Sequence, residues 1–161
     1  IMKITIKEAS KDNFEELMFF RLLLLKHDSH LDSGVHYTIE NIQNSVKFMK
    51  EYLKKNDNKY FIAYHNSLPI GYLHVTHDDK ENKQNSYLSE LYVLDIYRSF
   101  GIGKELTLFQ WKYLKKMKIT NNTLTTTMYK NKRTIDFYKK SGYVLIKENK
   151  IENIVYLSRE L

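Results

Sequence analysis

The residue pattern of the chain changes abruptly around two glycines, and this change restricts its fold more than any other feature. "SYLSELYVL" (Ser86–Leu94) contains two tyrosines and a valine and predicts a strand. "RSFGIG" (Arg98–Gly103) follows it, and apolar residues then recur at helical spacing to about Met117. A glycine loop at the start of a helix exposes backbone amides to which a phosphate group can bind. The sequence therefore predicts an α/β fold in which this loop is a candidate anion site.

The other segments predict a mixed, mostly antiparallel sheet in a single domain over residues 2–161. The predicted order is β-α-α-β-β-β-α-β-α-β-β, in which one crossover helix joins two parallel strands. Asp12, Thr38 and Asn131 stand where helix N-caps are expected. The main strand segments are Met2–Ser10, Lys59–His65, Ile70–His77, Ser86–Leu94 and Asn122–Tyr129, with "YVLIKEN" and "NIVYLS" near the end.

Composition removes several classes of function. The chain of 161 residues has no cysteine, which excludes disulfides and thiolate chemistry and fits the cytoplasm. No apolar run approaches the roughly 20 residues that span a bilayer, so no membrane partner is expected. The net charge of +7 comes mostly from lysines scattered among acids, a pattern that favours a solvated surface or a polyphosphate ligand over nucleic acid.

Two familiar phosphate loops do not fit the glycine positions. A Walker A loop needs a glycine at position 98 and a hydroxyl residue at 105, but Arg98 and Glu105 stand there. The dinucleotide fingerprint needs a third glycine at position 106, where the chain has Leu106. What remains is either a short pyrophosphate site bracketed by Arg98 and Lys104 or an ordinary strand-to-helix turn.

Two motifs in the second half of the chain resemble the signatures of one enzyme family. Arg98–Gly103 resembles the R/Q-x-x-G-x-G/A signature of the GCN5-related N-acetyltransferases, the GNAT family. Asn131, Thr134 and Tyr138 match that family's N-x-x-A-x-x-x-Y segment, except that threonine stands where alanine is usual. The resemblance is specific from Ser86 to Tyr143 and elsewhere rests on element order. It implies a GNAT-like fold, with a parallel strand pair that splays apart.

The resemblance also implies a site for acetyl-CoA as co-substrate. The splayed strands would be Leu88–Leu94 and Leu124–Tyr129, and a backbone N–H near Val93 would polarise the thioester carbonyl. The residues expected to bind the cofactor are Leu91, Tyr92, Val93, Arg98, Ser99, Phe100, Gly101, Ile102, Gly103, Lys104 and Asn131.

Acetyl transfer to an amine requires two proton transfers, and two residues are candidates for them. An ammonium group must lose its proton before it can attack, and Glu90 is the candidate base, acting directly or through water. On a regularly alternating strand Glu90 would share a face with Leu88 and Tyr92. Tyr138 matches the tyrosine that protonates the leaving thiolate in the family. Each also has a structural reading, Glu90 as a solvated carboxylate and Tyr138 as a core residue.

The segment from His27 to Tyr37 is expected to be a polar loop. Its histidines, His27, His30 and His36, follow no known metal-ligand spacing, so no metal is expected. In the family, the region between the first two helices lines the acceptor site. Asp28, Asp32 and Glu40 are therefore candidates for attracting a cationic amine.

The leading hypothesis is an acetyl-CoA-dependent N-acetyltransferase acting on a small primary amine, such as a polyamine, an amino acid or an aminoglycoside-like compound. The alternatives are acetylation of a protein N-terminus or lysine, and a non-catalytic acyl-CoA sensor on the same fold. Because family members are often dimers, the resemblance leaves a homodimer open.

Overall fold

A sheet with helices packed on both faces forms the molecule. A computed structural model of the chain describes residues 2–31, 34–77, 84–127 and 131–161. The strands are β1 (Ile4–Glu8), β2 (Asn58–His65), β3 (Leu68–His77), β4 (Asn85–Val93), β5 (Asn121–Thr127), β6 (Val144–Asn149) and β7 (Ile154–Glu160). The α-helices of the described residues are α1 (Phe14–Asp28), α2 (Ile39–Tyr52), α3 (Ile102–Lys116) and α4 (Lys132–Lys140), and short 3-10 turns precede α1 and α3.

The predicted element order and the mixed, mostly antiparallel sheet are confirmed. Within the described ranges the strands follow the order β1-β2-β3-β4-β5-β7-β6. Neighbouring strands are antiparallel except for β4 and β5, which are parallel. No helix in these ranges has both the length and the apolar character needed to cross a membrane.

The cap predicted at the start of α1 is wrong. Asn13, not Asp12, stands at the N-cap position of α1, and its side chain makes no cap hydrogen bond. Ser10 caps the 3-10 turn before the helix, where its Oγ accepts a hydrogen bond from the backbone N–H of Asp12 at 3.2 Å. The residues between this cap and α1 form a 3-10 turn, Lys11–Asn13. The cap of α2 is as predicted, because Thr38 Oγ1 accepts from the N–H of Asn41 at 3.2 Å.

Each face of the sheet has its own apolar core. Phe61 lies in the core shared with α3, whereas its neighbour Ile62 lies in the core shared with α1 and α2. This alternation follows from the two-residue period of a strand. Because β2 and β3 are covered on both faces, they carry long runs of buried residues. The next strand, β4, borders an opening in the sheet, and most of the candidate site residues lie there.

A bulge at Ser89 reverses the side-chain alternation along β4. The register against β3 shifts between Leu88 and Glu90, which leaves Ser89 as the extra residue. Leu88 therefore belongs to the core under α3, while Tyr92 belongs to the core under α1 and α2. Glu90 shares a face with Tyr92 as predicted, but the prediction that it also shares that face with Leu88 is wrong.

The parallel strands β4 and β5 pair over a short distance and then separate. Residues 85–87 pair with residues 121–123, and no further pairs form along the described parts of the two strands. β4 nevertheless continues to Val93 and β5 to Thr127. The predicted splay is thus confirmed as far as Thr127, and positions 128–129 of the predicted strand lie outside the described residues.

Candidate active site

A cavity of about 970 Å³ lies at the opening between β4 and β5. Its walls come from α1 on one face of the sheet, from α3 and α4 on the other, and from β4, β5 and β7. The cavity contains most of the residues predicted from the sequence, namely Asp28, Glu90, Leu91, Tyr92, Val93, Arg98, Ser99, Gly101, Ile102, Gly103, Lys104, Asn131 and Tyr138. Of the other candidates, Phe100 and Glu40 are exposed and do not line the cavity, and Asp32 lies outside the described residues.

The glycine loop presents unpaired backbone amides to this cavity. Ser99 and Gly101 both have positive φ, 69° and 83°, on either side of Phe100. Such alternation turns successive N–H groups into one concavity. The first hydrogen bond of α3 runs from the N–H of Glu105 to the carbonyl of Gly101, so the preceding amides, 102–104, have no acceptor within the helix. The loop therefore has the donors that a diphosphate needs.

Arg98 supports the loop rather than leaving its guanidinium free for a ligand. Its Nε donates to the carbonyl of Val93 at 3.0 Å, and its Nη2 lies 2.8 Å from Oδ1 of Asp95. The same guanidinium lies over the ring of Tyr92, 5.1 Å from its centroid. These contacts connect the end of β4 to the loop. They also pair the positive charge of Arg98 with Asp95, so less of that charge is left for the anion that the sequence analysis expected Arg98 to bind.

Two side chains at the start of α4 brace the same region. Arg133 Nη2 donates to Ser99 Oγ at 2.8 Å and thereby links α4 to the glycine loop. Asn131 stands at the N-cap position of α4, but its side chain does not cap the helix. Its Nδ2 donates a hydrogen bond to Thr126 Oγ1 at 2.6 Å. Arg133 was not predicted, although a basic residue inside the second motif was a visible signal.

The charges around the cavity are separated. Among the described lining residues the basic side chains come from the loop, α3, α4 and β7, whereas the carboxylates come from α1 and β4. The basic residues are Arg98, Lys104, Arg133, Lys140 and Arg159, and the acids are Asp28 and Glu90. One end of the cavity thus suits a polyanion, and the other suits a cation.

Both carboxylate oxygens of Glu90 have partners. Its Oε1 lies 2.9 Å from Nη1 of Arg21 on α1, and its Oε2 accepts a hydrogen bond from the hydroxyl of Tyr72 on β3. Burial raises the pKa of the Glu90 carboxyl above its ordinary value, while Arg21 and the Tyr72 hydrogen bond act in the opposite direction. The result is a fixed carboxylate with a raised pKa, and a raised pKa favours a general base.

Tyr138 is buried, and its side chain forms part of the cavity wall. Its ring packs against Phe137 and Tyr143, with centroids at 5.1 and 5.5 Å. Burial is the main cause of the raised pKa of the Tyr138 hydroxyl, and the neighbouring hydroxyl of Tyr143 adds to it. Tyr138 therefore stays protonated at neutral pH, as a proton donor must.

The end of the cavity that suits a cation is formed by the last residues of α1 rather than by a loop. His27 and Asp28 are the last residues of α1, so the prediction of a polar loop starting at His27 is wrong by two residues. Both line the cavity, and His27 Nδ1 lies 3.4 Å from Asp28 Oδ1. Across the described ranges, no three His, Asp or Glu side chains come together as a metal site requires.

Comparison with known proteins agrees with this geometry. The family model described as "Acetyltransferase (GNAT) family" matches residues 22–143, which is most of the chain. The chain belongs to the GNAT family. The matched region contains β4, the glycine loop, α3, β5 and α4, and therefore most of the cavity wall.

Several known proteins are similar to this GNAT chain. N-alpha-acetyltransferase 50 of Danio rerio is 28% identical over 89 residues, which are 55% of this chain and 53% of that protein. The chain spans about half the length of the curated relatives it matches. PaiA N-acetyltransferase from Thermoplasma acidophilum, solved with coenzyme A, superimposes with a TM-score of 0.77 at 19% identity, covering 99% of this chain and 100% of PaiA. A GNAT acetyltransferase from Staphylococcus aureus Mu50 gives 0.77 at 22% identity, with 99% of both chains covered. At these identities the two structures show the fold.

Proposed function

We propose that this protein transfers the acetyl group of acetyl-CoA to a primary amine of a small cationic molecule. The observation that carries the proposal is the charge separation of the cavity, with basic groups around the glycine loop and carboxylates at the end of α1 and on β4. Membership of the acetyltransferase family supports the reaction class. The protein as a whole is basic and would repel a cation. The carboxylates at one end of the cavity therefore favour binding of a cationic amine there over the rest of the surface.

The residues present fit acetyl-CoA. The amides of residues 102–104 offer hydrogen-bond donors to a diphosphate. There is also free space beside Gly101, which has a positive φ, because no described residue other than its two chain neighbours comes within 4 Å of the place where a Gly101 Cβ would stand. Beyond residue 87, β4 no longer pairs with β5, which leaves room for an arm that carries amide groups. Acetyl-CoA would supply an activated acyl group at the end of that arm.

Two residues of the chain would move the protons. Glu90 takes a proton from the ammonium group, directly or through water, so that the amine nitrogen can form its bond to the acetyl carbon. As the carbon–sulfur bond breaks, Tyr138 donates its proton to the sulfur, and the second proton that the nitrogen loses as the amide forms returns to Tyr138 through water. A backbone N–H near Val93 stabilises the negative charge that develops on the carbonyl oxygen. Because the amine attacks the thioester directly, without a covalent acyl-enzyme, both substrates have to be bound at the same time.

The acceptor proposal depends on Asp28 and Glu90. Both carboxylates line the cavity, and the charge of Asp28 contributes to the raised pKa of Glu90, after the larger effect of burial. An ammonium group between them would be attracted and then deprotonated. A second candidate acceptor is a protein N-terminus, since the similar relative from Danio rerio is named an N-alpha-acetyltransferase.

A thiol-release assay tests the proposal. The full chain with acetyl-CoA is assayed against polyamines, amino acids, aminoglycosides and short peptides with a free N-terminus. Turnover of a small cationic amine with an acceptor kcat/KM at least tenfold above that of any peptide supports the proposal. Turnover of peptides alone favours the second candidate. Saturable binding of CoA without thiol release on any amine would identify a non-catalytic acyl-CoA sensor and overturn the proposal.

A further inference from the structure

Arg21 is a charged residue in the middle of an apolar stretch of α1, "MFFRLLLL". Its side chain is 28% exposed and reaches two other elements. Nη1 lies 2.9 Å from Oε1 of Glu90 on β4, and Nε donates to Oγ of the buried Ser45 on α2 at 3.3 Å. One guanidinium thus joins α1, α2 and β4 at the carboxylate proposed as the base.

This contact also divides two cavities. A second cavity of about 330 Å³ lies under α2, and Arg21 belongs to its wall. Ser89 and Glu90 line both this cavity and the larger one. The bulge at Ser89 therefore places Glu90 between the two spaces, and Arg21 contacts its carboxylate from α1, on the face of the sheet that α1 and α2 cover.

We propose that Arg21 is the positioning residue for Glu90, which it holds in one orientation and keeps ionised when substrates fill the cavity. The inference rests on the proposed function, specifically on Glu90 as the base. Arg21 fixes Oε1 while the hydroxyl of Tyr72 fixes Oε2, so the carboxylate cannot rotate away from the amine. A guanidinium suits this task because it stays charged and its donors have fixed directions.

Several other ionisable groups surround Glu90. From α1 come Arg21 and Asp28, from β2 comes Tyr60, and from β3 come Tyr72 and His74, the residue paired with Glu90. Burial lowers the pKa of His74 to about 3, so His74 is neutral at physiological pH. Within this set Arg21 is the group whose positive charge opposes the effects of burial and of Asp28 on Glu90.

The test combines a direct titration with kinetics. The pKa of Glu90 is read from the carboxyl 13C signal of the glutamate-labelled chain, assigned by its absence in Glu90→Gln. In Arg21→Gln this pKa should rise by about one unit or more, because a close opposite charge has been removed. The acidic limb of the kcat/KM profile for the amine should shift upward by the same amount, while the KM for acetyl-CoA stays within twofold. Arg21→Met, which suits the apolar stretch of α1, gives a second neutral variant if Arg21→Gln unfolds.

Two controls separate this role from a merely structural one. Lys59→Gln breaks an ion pair of the same 2.9 Å length, with Glu8, away from both cavities and should change neither profile. In Arg21→Gln/Glu90→Gln the rate should equal that of Glu90→Gln alone, because Arg21 acts through Glu90.

A Glu90 pKa that stays at the wild-type value in both neutral variants overturns the inference. A further loss of rate in the double variant, relative to Glu90→Gln, overturns it as well. The proposed function fails in a different way, through absence of turnover or through a Glu90→Gln profile that matches wild type. Because the carboxyl titration needs no acceptor, it tests the action of Arg21 on Glu90 in either case.

Discussion

Tyr87 lies opposite Thr123 in the last parallel pair of β4 and β5, and from the next residue onward the two strands separate. Separation leaves the facing backbone groups of both strands without partners in the ladder. Buried backbone groups are rarely left unpaired, so this edge requires water or a ligand rich in amide groups. This pair therefore marks one end of the cavity, and the glycine loop lies at the other end.

Gly103→Val should raise the KM for acetyl-CoA tenfold or more while leaving the fold intact, whereas Gly103→Ala, which the family signature allows, should change the KM little. A Cβ at Gly103 would meet Phe137 at 3.5 Å, an ordinary contact, and alanine is the better helix former. The two additional methyl groups of valine would crowd the cavity that Gly103 lines, where a diphosphate approaches the amides. Loss of one charge-assisted hydrogen bond costs roughly 1.5–3 kcal/mol. Thermal melting and initial-rate kinetics measure the two effects, and an unchanged KM in Gly103→Val would count against the loop assignment.

Tyr138→Phe should lower kcat by about 100-fold and leave the affinity for CoA nearly unchanged, because it removes a proton donor and little packing. Single-turnover kinetics with CoA binding by calorimetry separate the two quantities. Tyr97→Phe is the matched control, since Tyr97 lines the same cavity and its hydroxyl contacts His65. Equal turnover of the Tyr138 variant and wild type would remove the acid role.

Asp28→Asn should raise the KM for a cationic amine about tenfold without changing the KM for acetyl-CoA, because a carboxylate at the cation end of the cavity has been neutralised. Glu40→Gln is the natural comparison. Glu40 was also predicted from the sequence to attract the amine, but it is exposed at the start of α2 and outside the cavity wall. An equal KM for the amine in both variants would show that the acceptor does not bind next to Asp28.

His74 should make the fold sensitive to acid. It is buried, stacks on Tyr60 with centroids at 4.1 Å, and its Nε2 lies 2.9 Å from Oδ1 of Asn58. Burial, followed by the charge of Arg21, lowers its pKa to about 3 in the folded chain, against about 6.5 when unfolded. The unfolded chain therefore binds the proton more readily. Stability is complete above about pH 6.5 and falls as pH drops toward 3, by up to about 1.4 kcal/mol per pH unit.

Urea unfolding across this pH range measures the effect. His74→Gln lacks the titrating group and should lose less stability between about pH 6.5 and pH 4 than wild type does. His65→Gln, at a partly exposed position, should follow wild type. Parallel pH dependences for His74→Gln and wild type would show that His74 is protonated as easily in the folded chain as in the unfolded one.

The features that follow residue periodicity were predictable from the sequence. The spacing of apolar residues predicted the strands and helices, and the two motifs predicted the family and the position of the cavity. Features that depend on a single local irregularity were not predictable. The bulge at Ser89 leaves no mark in the pattern "LSELYV", yet it moves Glu90 to the face opposite Leu88.

The partners of charged side chains were the other feature that the sequence did not predict. The partners of Arg98 lie within five residues, but its short loop gave no sign that the guanidinium binds Val93 and Asp95 rather than a ligand. Arg21 did carry a signal, because a charge inside an apolar helical stretch must find a partner. Which partner it finds depends on how α1 packs over β4, and that is set by the whole core.

Amide NMR of the 15N-labelled chain titrated with CoA tests the central claim most directly. The account predicts that the largest shift changes fall on the amides of residues 99–104 and 88–93, with few changes in β1 and α2. Saturable changes confined to other surfaces, with the loop and the open edge of β4 unaffected, would contradict it.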